Sequence, residues 1–159
     1  MKAITTPIEF FTHSELECKG SRINGKPGTG IIKLHPTFAT ELVRFRKEWG
    51  ISVVPNSVCR TPQHNKNEKG HPSSLHLTEN PVWPTLGSMA IDWPWRSWPT
   101  NKKIEFCKLA WNLGWAIGLH DGFCHLDRRG DLKLKDLPIR IFLYGNSWSN
   151  KFGAKEIMS

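Results

Sequence analysis

The chain has 159 residues and carries 22 Lys and Arg against 14 Asp and Glu, a formal net charge of +8. That length fits one domain that buries a core without disulfide staples, and no segment approaches the ~18 apolar residues of a membrane-spanning helix. Four cysteines without a C-x-x-C pair argue against a disulfide framework and for a reducing compartment. The positive excess draws the chain to polyanions: nucleic acid, an anionic membrane surface, or a bacterial wall with its carboxylates and phosphates. Eleven Pro and 13 Gly, with eight Trp and eight Phe, favour a loop-rich mixed α+β domain over a helical bundle. The N-terminus has no apolar run long enough for a signal peptide, so synthesis as a cytoplasmic protein is expected.

In chain order, Thr12 and Ser14 are helix caps in reach of a short helix, with Glu15 in capping-box register to Thr12. Residues 20–30 read as an exposed basic loop. Residues 37–49 form the clearest helix, with Phe38, Leu42, Phe45 and Trp49 on one face, Pro36 in the first turn and Gly50 at the stop. Residues 51–54 read as a strand and 61–73 as a loop with little to bury. The tryptophan-proline run 92–99 is a lid, a substrate wall or packing over a sheet. Thr100 caps a second helix to about Leu113, ended by Gly114. Residues 115–118, 123–126 and 139–144 are expected strands, 131–136 a charged connector, and the tail after Trp148 a frayed end. The whole is one domain over 1–159, its core spanning about 8–145, with a central antiparallel sheet flanked by helices at 37–49 and 101–113.

On the strand at 123–126, alternation puts Phe123, His125 and Asp127 on one face, and Cys124 and Leu126 on the other. A second cluster, Ser74-Leu-His76 with Ala90-Ile-Asp92, lies upstream. Two His and one Asp from separate elements make a three-ligand zinc site with a fourth position open, the pattern of catalytic zinc. Glu79, in the same stretch, is the rival carboxylate ligand.

The order of Phe11-Thr-His-Ser-Glu-Leu-Glu-Cys18, Leu42 to Gly50, Ser57-Val-Cys-Arg60 with His64-Asn65, Ser74-Leu-His76, Ala90-Ile-Asp92, Gly114-Trp-Ala-Ile-Gly118 and Phe123-Cys-His-Leu-Asp127 resembles the D-alanyl-D-alanine metallopeptidase family. That family includes zinc D-Ala-D-Ala carboxypeptidases, murein endopeptidases and phage endolysins, and shares its fold with the amino-terminal domain of hedgehog proteins. The resemblance covers roughly residues 10–130. It implies Zn2+ held by His76, Asp92 and His125, and Arg60 holding the substrate carboxylate or the developing oxyanion.

Where the family separates its first His and Asp by six residues, fifteen intervene here, with 78–86 as an insertion and Ser88 in place of the motif glycine. Several family members place the catalytic acid three residues before the last His ligand; that position is Gly122. Asp121 and Asp127 are therefore the candidate acids, Asp127 equally as a partner that orients a ligand. The resemblance implies a monomeric peptidase acting on peptidoglycan peptides, without nucleic acid and without stable membrane insertion. A phage endolysin released to the wall fits the charge and the expected lack of a signal peptide. A wall-binding module that has lost catalysis is the alternative, and a basic nucleic-acid protein the third reading.

Overall fold

The computed structural model describes residues 1–133, 140–144 and 146–159. Among these, helices α1 (His13–Leu16), α2 (Pro36–Trp49), α3 (Pro62–Asn67), α4 (Thr100–Asn112) and α5 (Ala154–Met158) accompany strands β1 (Ala90–Pro94), β2 (Ala116–Leu119), β3 (Phe123–Asp127) and β4 (Ile141–Leu143). The sheet order is β1-β3-β2-β4. β2 runs antiparallel to β3, as expected; β1, a strand that the sequence reading did not place, also runs antiparallel to β3, whereas β4 lies parallel to β2 at the edge. The chain reverses at β3 and returns along the far side of β2, which makes the last pairing parallel.

Helix α2 forms where the sequence places it, with Pro36 at the first position and Gly50 in the left-handed region at φ 79°. Its apolar stripe packs on one sheet face. Phe45 meets Trp93 of β1 at 5.4 Å and Phe106 of α4 at 5.0 Å, both edge-on. Ile91 and Trp93, Leu126 and Cys124, and Ile117 and Leu119 fill that same face and are fully buried. Cys124 therefore belongs to the core, opposite His125. Trp93 and Trp95 are buried too, and Trp98 stacks on Trp49 at 5.6 Å, so these tryptophans are packing. The capping box is present: the Thr12 N–H donates to Glu15 Oε1 at 2.8 Å.

Several expectations are corrected. Residues 51–54 form no strand, because no ladder partner runs beside them; Ile51 and Val54 are exposed, and pairing with β1 begins only at Ser57. The 61–73 stretch is not all loop. Pro62–Asn67 is helical, capped by Thr61 Oγ1 accepting from the His64 N–H at 3.3 Å, with Pro62 in the first turn. Helix α4 begins at Thr100 itself, with Pro99 before it. The basic loop 20–30 is tied down from inside by buried Glu17, which accepts from the N–H groups of Gly28 (3.0 Å) and Gly30 (2.7 Å) and pairs with Arg22. Of the expected last strand, Ile139 lies outside the described residues, as do residues 134–136, half of the 131–136 connector.

The C-terminal tail is docked, not frayed. Phe152 and Ile157 are buried in the main core, and α5 packs along α4. Ile157→Ala is accordingly expected to cost about 2–4 kcal/mol, the range for an aliphatic side chain removed from a packed core. Urea unfolding checks this, and a change below about 0.5 kcal/mol would mean a tail that contributes no packing.

Candidate metal centre

The sheet register assembles the site. Asp92 pairs with His125, His125 with Gly118 and Gly118 with Phe142, so one cross-strand row runs Asp92–His125–Gly118–Phe142 on the face away from α2 and α4. His76 comes to this row from the loop before the insertion. Its carbonyl accepts from the Arg60 N–H at 2.9 Å and from Ser88 Oγ at 2.6 Å. Ser88, where the motif glycine was expected, thus closes the insertion at its base. Gly87 supplies the conformation needed there: its φ is 139°, and a Cβ would lie 2.8 Å from the Leu34 backbone. Residues 81–86 loop outward, anchored by Asn80, which accepts from the Val82 and Trp83 N–H groups and donates to the Ser73 and Ser74 carbonyls.

One ligand atom each from His76, Asp92 and His125 lies within 4.8 Å of the others. Hydrogen bonds on the outer sides of both rings set which nitrogen faces inward. His76 Nδ1–H donates to the Val58 carbonyl at 2.8 Å, leaving the Nε2 lone pair 3.1 Å from Asp92 Oδ1. His125 Nε2–H donates to Asp127 Oδ2 at 2.8 Å and turns Nδ1 to the same Asp92 oxygen, again at 3.1 Å. Burial lowers the His76 pKa and outweighs Asp92, so this imidazole is neutral. A neutral Nε2 and a carboxylate oxygen are both acceptors, and 3.1 Å apart they are set to share a cation between them. Tetrahedral zinc with ~2.05 Å bonds separates its ligand atoms by about 3.3 Å, close to the 3.1 Å from Asp92 Oδ1 to each ring nitrogen.

The electrostatics are those of a cation site. Burial would raise the Asp92 carboxyl, but His76 and His125 hold it far below the usual carboxylate range. Burial would lower His125, but the hydrogen bonds to Asp127 and Asp92 raise it to about 9. In the metal-free protein the proton on Nδ1 occupies the direction a metal would take. Glu79, the rival carboxylate, turns instead to Lys33 at 2.9 Å and to the Thr78 hydroxyl.

The other sequence candidates fall in different places. Asp127 is fully buried; its two oxygens accept from the Arg129 N–H, Nε and Nη2 and from His125. Asp121 accepts from the Ser149 N–H and hydroxyl and from Asn150 Nδ2. Arg60 sets Nη2 3.9 Å from Asp92 Oδ2 and donates Nη1 to Asn65, while its buried Nε has no partner among the described residues.

A cavity of about 850 Å³ opens over the row, lined by His125, Asp127, His71, His120, Phe123 and Trp83, and closed on the β4 side by Arg140, Phe142 and Tyr144. Sequence reading missed this wall. Its signal was Gly118: a Cβ there would lie 2.7 Å from the Phe142 and Tyr144 rings, so a glycine in mid-strand marks their approach. Phe142 then reaches His125 at 5.7 Å between ring centroids. Gly118→Ala is expected to push both rings off the sheet and cost about 1–3 kcal/mol. A Tyr144 environment unchanged in its near-ultraviolet absorption would contradict that.

A family model described as Peptidase M15 matches residues 9–127. No curated protein and no solved structure matches the chain. The matched span takes in the capped helix α1, the core helix α2 and every residue of the His76–Asp92–His125 centre, and the chain belongs to the peptidase M15 family.

Proposed function

We propose that the protein is a zinc-dependent peptidase that hydrolyses peptide bonds of bacterial peptidoglycan, as a D-Ala-D-Ala carboxypeptidase or murein endopeptidase, and serves as a phage endolysin. The observation that carries this reading is the convergence of His76 Nε2, Asp92 Oδ1 and His125 Nδ1, with both rings oriented from behind, and a cavity large enough for a short peptide that His125 itself lines. Zinc bound there supplies Lewis acidity toward a peptide carbonyl and activates a water molecule near neutral pH.

The chain's own residues do the rest. Asp127, held by Arg129, fixes the His125 ring and keeps its proton on Nε2. Arg60, whose Nη2 lies 3.9 Å from Asp92 Oδ2 and whose buried Nε has no partner among the described residues, holds the substrate carboxylate or the oxygen that gains charge. His120 accepts the Gly122 N–H at Nδ1, at 2.9 Å, which leaves Nε2–H as a donor to a substrate oxygen. Phe123, Phe142 and Tyr144 exclude water along one wall. The surplus of basic residues favours adhesion to the anionic wall, where the protein acts as a monomer.

One observation favours a second reading, a wall-binding module that keeps the metal centre without catalysis. Position 122 has no acid, a Cβ there would meet Arg96 Nη2 at 2.7 Å, and both Asp121 and Asp127 are fully engaged. Digestion of Gram-negative peptidoglycan by the protein as isolated, chelated and zinc-restored separates the two. Peptide fragments that vanish on chelation and return with zinc are expected. Tight sedimentation with the wall and no new fragments under any metal condition would give the binding module.

A further inference from the structure

The β4 wall lies beyond the residues that the family model matches. Arg140 opens that wall. Its carbonyl accepts the Ile117 N–H at 3.0 Å, which pins its backbone to β2. Its guanidinium sits on the rim of the cavity, 5.9 Å from the centre of the Phe142 ring. The other arginine on that ring, Arg129 at 5.0 Å, is matched in charge by Asp127. Arg140 pairs with no carboxylate among the described residues, and it is exposed. Asp92, the carboxylate of the metal centre next to the cavity, already faces two imidazoles and Arg60.

We infer that Arg140 is a specificity residue that docks a second carboxylate of the substrate, one carried by the peptide at a distance from the bond being cut. A planar guanidinium fork held on an aromatic ring binds a carboxylate in a two-point geometry that an ammonium or a neutral amide does not reproduce. Phe142 touches both the His125 ring, at 5.7 Å, and the Arg140 guanidinium, at 5.9 Å. The two ends are therefore no more than about 12 Å apart, the reach of roughly three extended residues at ~3.5 Å each. The aromatic wall between them suits the aliphatic stem of such a peptide. The inference rests on the peptidase reading and refines it: the preferred substrate is an acidic peptide with a free carboxylate two or three residues from the metal centre.

The test compares the pentapeptide L-Ala-γ-D-Glu-L-Lys-D-Ala-D-Ala with the same peptide amidated at the glutamyl α-carboxylate. Binding is followed by tryptophan fluorescence in zinc-free protein, where cleavage does not intrude and Trp83 reports from the cavity. The native protein is expected to bind the free acid at least about tenfold more tightly than the amide, the scale of one charge-assisted pair. Arg140→Ala should erase that ratio and Arg140→Glu should invert it, both at an exposed position where folding is readily verified by circular dichroism. Equal binding of both peptides by the native protein, a ratio that survives Arg140→Ala, or no binding of either peptide would overturn the inference. Adding zinc then separates the two claims. Selective binding without cleavage upholds Arg140 and removes the peptidase; cleavage without selectivity upholds the peptidase and removes this role for Arg140.

Discussion

Asp92→Asn is expected to abolish zinc retention and peptide cleavage together while the protein stays folded. Asp92 Oδ1 is the atom that both imidazoles share, at 3.1 Å from each, and it carries the negative charge of the donor set. An asparagine keeps the shape, removes that charge, and offers either an amide oxygen or an N–H toward the lone pair of His76. Partners that only orient a ligand cost ~10–100-fold in metal affinity when removed, and Asp127→Asn, which loosens His125, should fall in that range. Asp92→Asn should exceed it clearly. Competition against a chromophoric chelator gives both numbers on one scale. An Asp92→Asn protein with native zinc affinity would return the ligand role to Glu79, and an Asp127→Asn loss as large as that of Asp92→Asn would make Asp127 more than a partner.

The features legible in the sequence were those set by local periodicity. Alternation along residues 123–127 separates His125 and Asp127 from Cys124 and Leu126, and a five-residue strand is too short to lose that phase. The same holds for the stripe of α2 and the cap at Thr12. What was not legible depends on partners distant in the chain. Ile51 to Val54 has strand composition, but a strand exists only beside another, and the outer edge of β1 meets this segment of chain only beyond it, at the Ser57–Asp92 bridge. Helix α3 buries mainly Asn65, so hydrophobic patterning misses it; Thr61-Pro62 was its available signal, and Asn65 earns its burial by bonding Arg60 and the His71 carbonyl. The docked tail follows from Phe152 and Ile157 finding α4, a contact that no local rule anticipates.

The site divides along the same line. His76, Asp92 and His125 were readable because metal ligands are scarce residue types at restricted spacings. Their orientation was not. The Val58 carbonyl behind His76 is a backbone atom with no sequence signature, and the Arg129 fork on Asp127 is one of many arginines in a basic chain. The fifteen residues between His76 and Asp92 still leave the two side chains 3.1 Å apart, because the Ser88 hydroxyl and the Gly87 backbone close the base of the loop. Spacing between ligands is therefore a weaker constraint than the identity of the residues at the two ends of a loop.

Zinc affinity should fall by about tenfold for each unit that pH drops below 9, down to about pH 6, with close to one proton released for each zinc bound at pH 7. Burial alone would keep His125 neutral, but the hydrogen bonds of Asp127 and Asp92 raise its pKa to about 9, so the metal must displace the Nδ1 proton. His76 contributes no second proton, because burial holds it neutral, and Asp92 contributes none, because both histidines hold it ionised. The same groups set the stability of the metal-free protein. A histidine whose folded pKa lies above its unfolded value near 6.5 stabilises the fold fully below pH 6.5, and that contribution is lost as pH rises toward 9. Asp92 and Asp127 act in the opposite sense: burial opposes their ionisation, their partners overcome it, and the stability they add above about pH 4 is lost on acidification. His76, whose pKa burial lowers, works against the fold as pH falls below 6.5, so metal-free protein should be most stable near about pH 6.5, and zinc-loaded protein at higher pH, where His125 yields its proton without cost. Calorimetric titration with zinc in buffers of different ionisation enthalpy counts the protons directly. Asp127→Asn should shrink the count at pH 7 by lowering the His125 pKa, and a zinc affinity independent of pH between 6 and 8 would mean that His125 is not the ligand that the geometry makes it.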